Sequence, residues 1–142
     1  MRFLVPHDGS EHSYKALDQA VQLADKLGGE ASIHVVIVIP DLCLVDVGID
    51  ECNTITSTLY KEGQGIKAKI AETLKARGIT ADIQIKTGNA EAASILESAE
   101  EVDADFVVIG AAGKHGGGGR NRLGNVADKV VSRCDRNVLV VH

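Results

Sequence analysis

The sequence predicts an α/β fold: a five-stranded parallel, doubly wound sheet of order 3-2-1-4-5, Rossmann-like, with helices on both faces. Three observations carry this. Apolar residues recur by turns at strand and at helix spacing, in the order β-α-β-α-β-α-β-α-β. Strands alternating with helices imply parallel pairing through right-handed crossovers. The 142 residues are 44% apolar with no Trp, so a single domain over 1–142 builds its core from Val, Ile, Leu and Ala, the palette of a buried parallel sheet.

The elements follow in order. Phe3-Leu4-Val5 is a short strand that stops at Pro6-His7-Asp8-Gly9-Ser10. Leu17, Ala20, Val21, Ala24 and Leu27 recur at helical spacing, and Gly28-Gly29 ends that helix. Ile33 to Ile39 is almost entirely β-branched, as expected of a central strand buried on both faces. From Pro40 to about Thr54 periodicity is lost, and a long loop is expected there, with the role of 40–60 open between a lid and a partner contact. Ile66, Ile70 and Leu74 mark a second helix closed by Gly78. Ile83 and Ile85 alternate with polar residues, the pattern of a strand nearer an edge. Ala92, Ile95, Leu96 and Ala99 share a face of a third helix, and Phe106 to Ile109 is a second buried strand. A glycine-rich loop runs from Gly110 to Gly124, Val126, Val130 and Val131 mark a short helix, and Val138 to Val141 is the last strand.

Composition narrows the function. The net charge is −5, which argues against a nucleic-acid grip, since phosphate backbones are held by Lys/Arg surfaces. Apolar runs are of strand length, short of the roughly 20 residues a membrane span needs, and no signal peptide is visible. Three cysteines, Cys43, Cys52 and Cys134, show no metal-ligand spacing and are expected as free thiols, placing the protein in the cytoplasm. No nucleophile, HExxH or P-loop motif appears, so no catalytic residue and no protein metal site are expected, and at most slow ATP hydrolysis. Asp41, Asp46, Asp50 and Glu51 are expected as a solvated acidic surface.

Ligands of open α/β sheets sit beyond the carboxyl ends of the strands, where the strand order reverses. Two segments leave such ends with unusual residues, Pro6 to Ser10 and Gly110 to Asn125. Glycines let backbone N–H groups close on an anion, and a helix N-terminus adds unpaired N–H groups. Asn125 is expected as the N-cap or as a phosphate donor. Lys114, Arg120 and Arg122 give this loop a local positive charge with no acidic residue between Gly110 and Gly124. Asp8 is expected to accept from a ribose or adenine amine, to cap the next helix with Ser10, or both. His7 and His115 lie near the same crevice and either touch phosphate or serve the fold.

Leu4-Val5-Pro6-His7-Asp8-Gly9-Ser10-Glu11-His12-Ser13 resembles the opening of universal stress proteins. Ile33-His34-Val35-Val36, Thr87-Gly88-Asn89-Ala90, Val107 to Gly113 and Val138 to Val141 resemble later parts of the same family, in the same order. The resemblance implies a homodimer paired through Val138–Val141 and an ATP or AMP site, with Mg or Mn carried by the phosphates. Pro6, Asp8 and Val35 would then face the adenosine, and Gly110, Gly113, Gly124, Asn125, Val126 and Ala127 the ribose and phosphates. The nucleotide-binding members carry glycine, two residues, glycine, nine residues, then glycine and Ser or Thr. Here ten residues separate Gly113 from Gly124, Asn125 replaces the hydroxyl, and Ala112 stands where a basic residue or His is usual. Three readings therefore stand: an adenine-nucleotide-binding regulator with an unknown protein partner, a nucleotide-free interaction module, and an ATP-consuming enzyme.

Overall fold

The strands and helices predicted from periodicity are present in the computed structural model, which describes residues 1–41, 48–114 and 122–142. In chain order they are β1 (Arg2–Pro6), α1 (Glu11–Lys26), β2 (Ser32–Pro40), α2 (Ile49–Ala76), β3 (Ala81–Gly88), α3 (Glu91–Glu101), β4 (Phe106–Gly110), α4 (Asn125–Arg133) and β5 (Asn137–Val141). All four strand pairings are parallel, as the alternation predicted, and the order is β3-β2-β1-β4-β5, the expected common order of a doubly wound sheet. Among the described residues no helix is long and apolar enough to cross a membrane.

Side chains alternate across each strand, so the sheet carries two separate cores. Phe3, Val5, Val35 and Ile37 point to one face and pack against Leu17 and Val21 of α1 and Ile70 and Leu74 of α2. Leu4, Val36, Val107 and Ile109 point to the other, against Ala92 and Ile95 of α3 and Ala127 and Val130 of α4. Helix α1 starts at Ser10, whose side chain accepts the Ser13 N–H at 3.3 Å. It ends where Gly28 takes a φ of +67°, a left-handed conformation that glycine adopts without steric cost.

Helix α2 corrects the expectation of a loop from Pro40 to about Thr54: its first turn begins at Ile49, and residues 42–47 lie outside the described part. Cys52, Ile55, Leu59, Ile66, Ile70 and Leu74 do fall at helical spacing, but Gly63 occupies the place where the stripe needs an apolar side chain. Thr54, Thr56 and Thr58 also depress local propensity. Thr54 and Thr58 instead donate their hydroxyls to the carbonyls of Asp50 and Thr54 at 3.0 and 2.9 Å. Asp50 and Glu51 lie in the first turn of α2, where acidic side chains suit the helix dipole.

Cys52 corrects a second expectation. It is disulfide-bonded and 5% exposed, whereas Cys134 is free. Spacing along the chain carries no signal for a pairing that the fold creates.

The strands differ in length at the end that matters. β1 pairs with β2 only as far as Pro6 with Val36, while β2 continues beside β3 to Pro40 with Gly88. The last four residues of β2 thus overhang the end of β1. At the other side of the sheet β5 is an edge strand, paired with β4 alone.

Candidate functional site

A cavity of about 580 Å³ opens above the short end of β1, at the switch point between β1 and β4. Its floor is Pro6, His7 and Asp8; Val36 and the overhanging tail of β2, Ile37 to Pro40, form one wall. Leu59, Glu62, Gly63 and Ile66 of α2 close the second side. Glu91 and Ile95 of α3 and Asn125, Val126 and Ala127 of α4 line the third, and Gly110, Gly113, Lys114 and Gly124 form the rim.

The turn after β1 is built by its own polar groups. The His7 N–H donates to the Val36 carbonyl at 2.9 Å and ends the pairing with β2. Gly9, at a φ of +80°, donates its N–H to His7 Nδ1 at 3.0 Å, and Ser10 donates its N–H to Asp8 Oδ1 at 2.9 Å. Asp8 Oδ2 accepts the Lys114 N–H at 3.0 Å, so the carboxylate joins this turn to the glycine-rich segment after β4. Burial opposes the Asp8 charge, but the bonds from Ser10 and Lys114 outweigh it and hold its pKa below the ordinary carboxylate value. His7 is 3% exposed, and burial lowers its pKa from 6.5 to about 4 against the charge of Asp8.

Two glycines are required here for space. A Cβ on Gly113 would stand 2.6 Å from Asp8 Oδ2, and one on Gly110 would stand 2.7 Å from the His12 backbone carbon. The glycine-rich segment can close on Asp8 and on α1 only because those side chains are missing. At Gly63 a Cβ would stand 2.9 Å from Ile39 Cδ1, the end of a flexible side chain, so α2 lies close against β2 at the wall of the cavity.

Backbone groups complete the site. In a parallel pair a residue turns its N–H and C=O to the same neighbour, and the next residue turns both to the other side. The Val36 carbonyl faces β1 through His7, so Val38 turns its donor and acceptor the same way, into the gap beyond the end of β1. At the opposite rim the N-cap of α4 is Gly124, with no side-chain cap bond, so the first N–H groups of that helix lie at the cavity.

Pro6, His7, Asp8, Gly110, Gly113, Lys114, Gly124, Asn125, Val126 and Ala127, expected from sequence, all line this cavity. Others are placed differently. Val35 is 1% exposed in the core beneath α1 and α2; its neighbour Val36 reaches the cavity, since one step along a strand changes face. Asn125 is the first residue of α4 and not its cap, because Gly124 already has the extended conformation of that position. The His7 ring is committed to the turn and its Nε2 is fully buried, so it is not placed to touch phosphate. Asp8 does not cap α1; it binds Ser10, which does. Arg122 is exposed and does not line the cavity, while His115 and Arg120 lie outside the described residues. The β2 overhang and the walls from α2 and α3 were not expected from sequence, although the β-branched run from Ile33 to Ile39, broken only by His34, is longer than Phe3-Leu4-Val5 and was a signal for the overhang.

The arrangement offers an apolar slot between β2 and α2, a carboxylate at its floor, and a rim of N–H donors. Among the described residues no three His, Cys, Asp or Glu side chains converge as a metal site.

The family model described as "Universal stress protein family" matches residues 1–142. A universal stress protein of Methanocaldococcus jannaschii is 33% identical over 141 residues, covering 99% of this chain and 81% of the relative. The universal stress protein UspA from Lactobacillus plantarum superposes with a TM-score of 0.83 at 22% identity, covering 100% and 97% of the two chains. A universal stress protein solved in complex with cAMP superposes with a TM-score of 0.73 at 28% identity, again over 100% and 97%.

Proposed function

This chain belongs to the universal stress protein family, and on that premise we propose that it is a regulatory protein that binds an adenine nucleotide and acts without turning over a substrate. The observation that carries the proposal is the convergence of Asp8, the Gly110–Gly113 backbone and the open N-terminus of α4 on one cavity. In this reading the slot between β2 and α2 takes the adenine, and the Val38 N–H and C=O meet its edge, which presents one acceptor and one amino donor. Asp8 faces the ribose; although it already accepts two N–H bonds, a carboxylate has lone pairs for more. Gly110, Gly113, Gly124, Asn125 and the N–H groups of α4 take the phosphates with Lys114, where a helix N-terminus favours negative charge. Asn125 donates through its amide in place of a hydroxyl. A divalent ion, Mg²⁺ or Mn²⁺, enters only on the phosphates. The cAMP carried by a related chain supports an adenine ligand. A cytoplasmic location, where adenine nucleotides are abundant, belongs to the same proposal, as does a homodimer formed through β5.

Thermal unfolding with and without excess Mg-ATP, with Mg-GTP as control, tests it. Ligand at 100 times its dissociation constant stabilises by about 2.7 kcal/mol, an upward shift of about 5 to 15 °C for a domain of this size. A shift with ATP alone is the expected result. No shift with either, in protein stripped of co-purified nucleotide, leaves the nucleotide-free interaction module, the reading favoured by Ala112 and by the ten-residue spacing before Gly124.

A further inference from the structure

Burying His7 has a cost that its surroundings do not repay at both nitrogens. Its Nε2 is buried without a hydrogen-bond partner, and its ring stands edge-on to Tyr14 with centroids 4.4 Å apart. An unsatisfied buried donor is unfavourable, and an apolar side chain would fill the same space without it. The function of the imidazole therefore lies at Nδ1, which accepts the Gly9 N–H at 3.0 Å. Because that partner is a donor, the ring proton is assigned to Nε2. The hydroxyl of Ser13, 3.2 Å from Nδ1, gives its own proton to the Ser10 carbonyl at 2.8 Å and leaves Nδ1 to Gly9.

We infer that His7 is a positioning residue: by holding the Gly9 N–H it shapes the turn that presents the Asp8 carboxylate to the cavity and to the Lys114 N–H. The inference deepens the nucleotide reading and rests on it. Gly9 sits in a left-handed conformation directly after Asp8, and Asp8 keeps one oxygen on Ser10 and the other on Lys114. A turn released at Gly9 swings the carboxylate away from both. Burial holds the imidazole unprotonated at neutral pH, so Nδ1 stays an acceptor there.

The test compares wild type, His7→Asn and His7→Leu at pH 7.5, measuring Mg-ATP affinity by calorimetry and exchange of the Gly9 and Lys114 amides by NMR. Asparagine offers an oxygen near the place of Nδ1; leucine fills the volume and offers none. His7→Leu is expected to weaken binding about fivefold to tenfold, the effect of one lost hydrogen bond, and to speed exchange at both amides. His7→Asn is expected to restore both readouts to within about twofold of wild type, a rescue that a space-filling role would not give. Wild-type affinity in His7→Leu, or equal weakness in the two variants, overturns the inference. If His7→Leu does not fold, the tautomer decides: a wild-type ring protonated at Nδ1 at pH 7.5 overturns it, and one protonated at Nε2 with His7→Asn unimpaired supports it. A wild type that binds no ATP overturns the nucleotide reading, and amide exchange in the three proteins then decides the shaping of the turn alone.

Discussion

Acid stability offers a direct measure of how deeply His7 is committed to the fold. Its pKa falls from 6.5 in a solvated chain to about 4 in the folded protein, because burial penalises the imidazolium more than the neighbouring Asp8 favours it. Between these values the unfolded chain binds more protons than the folded one, so folding stability rises with pH across the window. The contribution is complete above about pH 6.5 and is lost as pH falls toward about 4. At about 1.4 kcal/mol per pH unit the gap amounts to about 3 kcal/mol, a large share of the stability of an ordinary domain. The perturbation is His7→Asn, which fills the same turn and does not titrate. Urea unfolding of both proteins, extrapolated to water at intervals from pH 7.5 to 4, isolates the histidine, since the carboxylates are common to both. The wild type is expected to lose about 3 kcal/mol more than the variant over that range. A difference that stays constant with pH would refute the argument, because it would mean that the imidazole titrates in the folded protein as it does in the unfolded chain.

Two further outcomes follow from the same geometry. Gly113→Val places a Cβ 2.6 Å from Asp8 Oδ2, which must break the bond from Lys114; binding of Mg-ATP is expected to fall by more than about tenfold with the circular-dichroism spectrum unchanged, and retained affinity would move the phosphate site elsewhere. At β5, the Val141 carbonyl faces β4 through the Ala111 N–H, so Val140 turns its N–H to the free edge; Val140→Pro removes that donor without touching the β4 ladder and is expected to convert a dimer to a monomer in light scattering, whereas a persistent dimer would place the interface off this strand.

Much of this protein was written in local pattern. The alternation of strands and helices, the burial of β2 and β4 on both faces and the ends of α1 and α2 follow from periodicity and from Gly28 and Gly78, because burial on two faces demands a nearly uninterrupted apolar run and a left-handed helix end favours glycine. Most of the expected cavity residues were legible for a related reason, since in a doubly wound sheet the residues that leave β1 and β4 must border the switch point; Val126 and Ala127 came from the resemblance alone. The nucleotide assignment itself came from the resemblance and from loop chemistry, and neither periodicity nor composition supplied it.

Tertiary structure decided the rest. Val36 lines the cavity and Val35 the core because β2 is placed by its pairing with β1 and β3, and a one-residue difference in register is invisible within the unbroken apolar stretch Val35 to Ile39. The start of α2 was hidden because Gly63, where the helix approaches Ile39, interrupts the helical stripe. Asp8 and His7 looked alike on paper, as polar residues beside a crevice. The fold sends the carboxylate across to Lys114, 106 residues away, and turns the imidazole inward onto Gly9. Sequence determines which residues must be buried or must turn, since those demands are local; which polar groups meet is decided by contacts between segments distant along the chain, and only the packed structure brings those segments together.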